Sequence, residues 1–183
     1  MSDLTTERIL FTEPMFVHTN VYPNAESMKP ILTNIIQEQG DQQKYETNVK
    51  AQMTTWDMYK NEYFKLIIEF AIETLKKEID PYPTGETYCT DCWGAIYKTG
   101  ENTNPHAHWP SLWSFVYCVD ACPKCSPLVF PGAGRAIKPN TGLIIIFPGD
   151  VSHYVPKQEC EHNRVIISGN ITRINNKKNK ETK

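Results

Sequence analysis

The chain has 183 residues, with 19 Lys and Arg against 21 Asp and Glu and a formal net charge of −2. That length suits one compact domain whose core needs no disulfides, and the near-neutral balance argues against a surface built for nucleic acid or an anionic membrane. No apolar run approaches the roughly 20 residues that span a bilayer, and the opening MSDLTTERIL lacks the charged-then-apolar pattern of a signal peptide. A cytoplasmic location with six reduced cysteines is therefore expected.

Near the start, ILFTEPMFVHT is rich in β-formers and reads as edge strand. From Glu26 to Gln39, Met28, Ile31, Leu32, Ile35 and Ile36 recur at helical spacing, with Pro30 in a first turn and Gly40 as the stop. A second helix is expected over about Glu62 to Lys77. Asn61 is its N-cap, and Phe64, Ile67, Ile68, Ala71, Ile72 and Leu75 form one apolar stripe. DPYPTG ends it. After Tyr88 short β-rich runs alternate with Gly, Pro and Asn: WGAIYKTG, LWSFVYCV, PLVF, RAIKP, GLIIIF, SHYV and RVIISGNITR. Many short strands at close spacing predict a sandwich or barrel, with the two helices packed outside a β-core.

The chemistry lies in this second half. His106 and His108 form a His-x-His pair; residues i and i+2 of a strand share a face, so both can address one ion. His153 follows FPGD, where a strand gives way to a turn, and can close the site from an opposite strand. Imidazole suits Fe, Zn, Cu and Ni. The alternative is that each histidine is a separate surface or core residue, as His18 and His162 are read to be. Arg164 lies in the apolar run NRVIIS. Facing inward, its guanidinium fork needs a carboxylate; facing outward, it is a surface charge.

Together, HAHWPSLWSFVYCV, PLVF, IKPNTGLIIIFPGDVSHYV and HNRVIISGN resemble the 2-oxoglutarate/Fe(II)-dependent oxygenases. More closely, the chain is similar to the small oxygenase family of this kind found in marine bacteria and tailed phages. The likeness runs from about Ile9 to Asn170 and is strongest from Trp93 onward. It implies a mainly β fold with flanking helices (α+β), a double-stranded β-helix or jelly roll with two N-terminal helices outside. It implies one oxygenase-like domain over 1–173, with helical support over about 24–80, a β-helix core over about 88–173 and a disordered basic tail over 174–183. The cytoplasm would be that of the host cell if a phage encodes the protein.

In that family a His-x-Asp/Glu, a distal His and a following Arg or Lys hold the iron and the co-substrate. The resemblance makes His106 and His153 the equivalent histidines and Arg164 the anchor for the distal carboxylate of 2-oxoglutarate. Tyr117 would give a hydroxyl to the same carboxylate, and Tyr97 and Asn170 would line the pocket. His108 stands where the family has a carboxylate, and neither Glu101 nor Asp150 is placed to replace it. Three histidines approach the cupin dioxygenases, which also share the glycine six residues before the first His (Gly100), but the cupin glutamate is missing.

The implied function is an Fe(II)- and 2-oxoglutarate-dependent oxygenase, a hydroxylase that couples decarboxylation of 2-oxoglutarate to succinate with oxidation of an unknown substrate. The alternatives are a three-histidine dioxygenase without co-substrate, and a non-catalytic metal-binding jelly roll. A peptide or small molecule is favoured over nucleic acid, with Trp109 and Trp113 as an aromatic rim. Separately, Cys89 and Cys92 (CTDC) and Cys122 and Cys125 (CPKC) are two knuckles about thirty residues apart, a candidate four-cysteine structural zinc site. Cys118 and Cys160 read as plain thiols.

Overall fold

A computed structural model describes residues 14–41, 46–81 and 85–174. The first part of the expected N-terminal strand, residues 9–13, and the basic tail from 175 lie outside the described residues. Chain order runs β1 (His18–Val21), α1 (Ala25–Gln39), β2 (Val49–Lys50), β3 (Gln52–Met53), α2 (Glu62–Glu78), β4 (Glu86–Tyr97), β5 (Asn102–His106), β6 (Trp113–Asp120), β7 (Leu128–Phe130), β8 (Arg135–Ile137), β9 (Leu143–Pro148), β10 (His153–Val155) and β11 (Arg164–Ile174).

The strands form two antiparallel sheets that face each other. One has six strands in the order β1-β9-β6-β11-β4-β3; the other has five, β2-β5-β10-β7-β8. This is the expected double-stranded β-helix. The period of two in each strand sorts side chains between two cores. Along β11, Val165, Ile167 and Ile171 face the helices with Phe115, Tyr117 and Val119 of β6. Ile166 faces the other sheet with Ala95, Tyr97, Val116, Ile145 and Phe147.

Both helices cover the outer face of the large sheet. α1 sets Met28, Leu32 and Ile36 onto it, and α2 sets Phe64, Ile67, Ala71 and Leu75. Asn61 caps α2 as expected, its side-chain oxygen accepting from the amides of Tyr63 (3.0 Å) and Phe64 (3.3 Å). Gly94 in β4 lets α1 approach closely: a Cβ there would lie 2.4 Å from Ile36 Cγ1. Two local expectations are corrected. α1 starts at Ala25, so Pro30 falls in the second turn, where the Glu26 carbonyl loses its intrahelical donor. The helix does end at Gly40, but that residue is extended (φ −65°, ψ 162°), not left-handed.

β5 is a strand that hydrophobicity does not announce: its sequence is NTNPH, and only Thr103 is fully buried. It is held by pairing with β2 and β10. It also carries the first histidine.

Candidate metal and co-substrate site

His106 is the last residue of β5 and His153 the first of β10, and the two are direct register partners. His108 lies just past the end of β5, where its amide donates to the Gly149 carbonyl at 2.6 Å. The three rings converge. Their centroids are 4.4 Å (His106–His153), 4.8 Å (His106–His108) and 5.1 Å (His108–His153) apart, and one nitrogen from each lies within 4.8 Å of the others. Three imidazoles gathered this closely can address a single ion.

The ring orientations are fixed from behind. His106 Nδ1 sits 2.8 Å from the Asn104 carbonyl and His153 Nδ1 2.9 Å from that of Val151. A carbonyl only accepts, so both Nδ1 atoms carry the proton and both Nε2 lone pairs are left for a metal. His153 is buried against the ring of Phe147, 4.6 Å away, and His108 borders Trp93. Burial, then the neighbouring histidines, pushes the His108 pKa down to about 3. Burial takes His153 to about 4 and also holds His106 below the ordinary imidazole value. All three are neutral bases at neutral pH, the state in which they ligate. Among the described residues no carboxylate joins the cluster, and Glu101 is turned to the Lys98 amide instead (2.6 Å).

Arg164 opens β11 on the inner face of the large sheet, with 1% of its surface exposed. Its guanidinium lies 5.1 Å from the centre of the Tyr97 ring. Nε and Nη1 are buried without a hydrogen-bond partner, and no carboxylate among the described residues forms an ion pair with it. A buried, permanently charged group without a counter-ion is strongly unfavourable, so an anion entering this pocket would be stabilised by it. The same interior pocket is lined by His106, His108, His153, Tyr97, Thr103 and Ser168. The Tyr97 hydroxyl is bonded to Thr103 Oγ1 at 2.7 Å. The pocket lining thus combines one buried cation with three metal-ready nitrogens, the two kinds of group that a metal-chelating dicarboxylate needs.

On its outer side the triad meets an open cleft of about 620 Å³, lined by Glu46, Lys50, Trp56, Asp91, Trp93 and Asn170 among others. His106, His108 and Trp93 border both spaces. A metal at the triad would therefore separate a closed pocket from an open one.

Several sequence expectations are relocated. Tyr97 does stand beside Arg164. Asn170 lines the outer cleft, not the arginine pocket; its Oδ1 accepts from Ser114 Oγ at 3.0 Å. Tyr117 is on the wrong face: strand parity points it at the helices, where its ring meets Tyr22 at 5.9 Å and its hydroxyl is buried without a partner. Trp109 is a free-standing surface residue and Trp113 packs against the helix-side core.

The four-cysteine site does not assemble. β4 and β6 lie on opposite sides of β11, so the two knuckles are separated by a strand. Cys92 is also level with Gly169, whereas Cys122 lies beyond Asp120, which is level with Val165. That is an offset of roughly 13 Å along the strand. Cys89 and Cys92 stay together on β4; Cys122 and Cys125 meet Cys160 instead. Sequence reasoning also missed Thr103, Trp93 and Asp91 as wall residues, since nothing in their local pattern marks them.

The arrangement of two facing antiparallel sheets, helices on one, and a triad at the open end is that of the 2-oxoglutarate/Fe(II) oxygenase fold. Comparison with solved structures bears this out. A viral collagen prolyl hydroxylase from Paramecium Bursaria Chlorella virus-1, in complex with 2-oxoglutarate, superposes with a TM-score of 0.69 at 15% identity, over 86% of this chain and 96% of that one. A Pseudomonas putida prolyl-4-hydroxylase gives 0.66 at 17% identity, over 86% and 92%. A Trichoplax adhaerens prolyl hydroxylase bound to a peptide of hypoxia inducible factor gives 0.63 at 12%, over 86% and 83%. No family model and no curated protein matches the sequence. Among the described residues no helix is long and apolar enough to cross a membrane.

Proposed function

We propose that this chain is an Fe(II)- and 2-oxoglutarate-dependent oxygenase that hydroxylates a substrate seated in the outer cleft. The observation that carries the reading is Arg164, a buried guanidinium without a counter-ion among the described residues, which shares one pocket with three metal-ready imidazoles. Iron with bound 2-oxoglutarate supplies the oxidising chemistry, in which decarboxylation to succinate accompanies transfer of oxygen to the substrate.

The chain's own residues have four tasks. His106, His108 and His153 present neutral nitrogens, with the Asn104 and Val151 carbonyls fixing the tautomers of the first and third. Arg164 pairs with the carboxylate that does not chelate. Tyr97 and Thr103 wall that end and hold the guanidinium in place. Phe147 and Phe130 keep water from the back of His153. Three neutral ligands leave the ion its full double charge, where a His-x-Asp set would lower it by one. With a dianionic co-substrate and the Arg164 guanidinium, the site carries one positive charge more than a His-x-Asp set would leave. The cleft, walled by Trp56 and Trp93, suits a projecting side chain of a peptide or a small molecule; Glu46 and Lys50 pair at 3.3 Å on its wall, and with Asp91 there it offers no positive excess for a phosphate backbone.

The test is anaerobic titration of the Fe(II)-loaded protein with 2-oxoglutarate. A visible charge-transfer band that forms in the wild type and fails in Arg164→Ala is the expected result. Iron that binds with no band at any 2-oxoglutarate concentration would shift the reading to a three-histidine dioxygenase, for which the missing carboxylate ligand already argues.

A further inference from the structure

We propose that Cys122, Cys125 and Cys160 form a second metal site, a three-thiolate holder for one soft divalent cation such as Zn²⁺, remote in chemistry from the histidine triad. The three sulfurs form a nearly equilateral triangle, with edges of 3.6, 3.6 and 3.7 Å. A zinc–sulfur bond of about 2.3 Å and tetrahedral angles put neighbouring sulfurs about 3.8 Å apart. Three thiols cannot all be paired as disulfides, and all three are free. Their proximity is not a product of sequence, because Cys160 returns to the CPKC turn 35 to 38 residues later.

Two of the sulfurs, Cys125 Sγ and Cys160 Sγ, lie 3.8 and 3.7 Å from the His162 carbonyl, to which their thiols donate, and two sulfurs also accept. The Cys122 amide donates to Cys125 Sγ (3.4 Å) and Gln158 Nε2 to Cys160 Sγ (3.6 Å). Such donors offset the negative charge that three thiolates around a dication leave. The CPKC turn is closed by the Cys125 amide on the Cys122 carbonyl at 2.9 Å, which aims both side chains to one side. Among the described residues no fourth His, Cys, Asp or Glu joins the three sulfurs, so solvent or a small ligand fills the fourth corner.

The site joins two loops, 121–127 between β6 and β7 and 156–163 between β10 and β11. They are already stitched by Gln158, buried, whose Oε1 accepts from the Ser126 amide (2.8 Å), and by Ser126 Oγ donating to the Lys157 carbonyl (2.9 Å). The second loop delivers the chain directly into Arg164. An ion here would pin the start of β11 without touching the reaction.

The experiment is to strip the purified full-length chain with a chelator under reductant, reload it with Co²⁺ and record the sulfur-to-cobalt charge-transfer absorption in the near ultraviolet. Imidazole nitrogens do not give this absorption, so occupancy of the histidine triad does not interfere. The expected result is thiolate absorption saturating at one cobalt in wild type, Cys89→Ser and His153→Ala, and lost or cut by at least a third in Cys160→Ser and Cys122→Ser. Cys122 lies at the half-buried rim, so its serine variant keeps the test open if Cys160→Ser fails to fold. Absence of thiolate absorption in the wild type, its persistence in both serine variants, or a disulfide between any two of the three under reductant would overturn the proposal.

Discussion

Two clusters of three ligands occur in this molecule, and they are held in different ways. The histidines stand on or beside strand ends: His106 and His153 face each other across the β5–β10 ladder, and backbone carbonyls orient both rings. The cysteines stand on loops, which bonds of Gln158, Ser126 and the cysteine sulfurs themselves bring together. A site on strands is positioned by the fold before any ion arrives, whereas a site on loops is completed by its ion. The first arrangement suits a metal that must exchange ligands during turnover. The second suits a metal that never leaves.

The largest effect should come from removing a strand-borne ligand. Losing only the hydrogen-bond partner of a ligand typically costs 10–100-fold in metal affinity. His153→Ala removes the ligand itself, so iron affinity should fall by more than about 100-fold with the fold intact. Iron titration alongside circular dichroism checks this. An unchanged affinity would mean that the triad is not the iron site.

Arg164→Ala comes next. Truncating one partner of a buried charge pair costs about 2–5 kcal/mol, or roughly 30- to 5,000-fold in 2-oxoglutarate affinity. Because Nε and Nη1 are unpaired and no carboxylate among the described residues pairs with the guanidinium, the variant should fold at least as well as the wild type, unlike the usual loss from a buried ion pair. Arg164→Lys, keeping charge but not the fork, should fall between the two. Calorimetric titration with 2-oxoglutarate on the metal-loaded protein decides, and equal affinities for wild type and Arg164→Ala would break the link between arginine and triad.

The contrast between strand and loop also explains what could be read from sequence. α1, α2 and the strands β4, β6, β9 and β11 were legible because burial leaves a period in the residues themselves. The triad was legible for a related reason: His-x-His near a strand end is a local pattern. The rest depends on contacts between distant segments. β5 is polar and exists because β2 and β10 pair with it. The face Tyr117 occupies depends on strand parity, which a one-residue shift reverses. Cys160 carries no motif of its own, while Cys89 and Cys92 carry one and are held apart from the other knuckle by β11. Spacing can nominate thiols; only topology says which of them meet.

A third effect separates the clusters dynamically. Chelation should raise amide hydrogen exchange in segments 121–127 and 156–163 by about tenfold or more, since loops with few buried contacts open first when a tie is lost. The amides of β5 and β10 around His106 and His153 should change far less, being held in a ladder. Exchange mass spectrometry with and without metal measures both in one experiment. Equal responses in the two regions would erase the distinction.

The smallest effect is expected at Tyr97. Its ring supports the Arg164 guanidinium from 5.1 Å, and its hydroxyl shares a hydrogen bond with Thr103. Tyr97→Phe keeps the ring and deletes the hydroxyl, leaving Thr103 Oγ1 without this partner. One such bond is worth about 1 kcal/mol net, so 2-oxoglutarate affinity should drop by less than about tenfold while iron affinity stays unchanged. Tyr97→Leu also removes the aromatic face and should lose more. If Phe and Leu weaken 2-oxoglutarate equally, the hydroxyl rather than the ring positions Arg164. If neither does, the guanidinium is held by the strand alone, and the arginine end of the pocket would be as rigid as the histidine end.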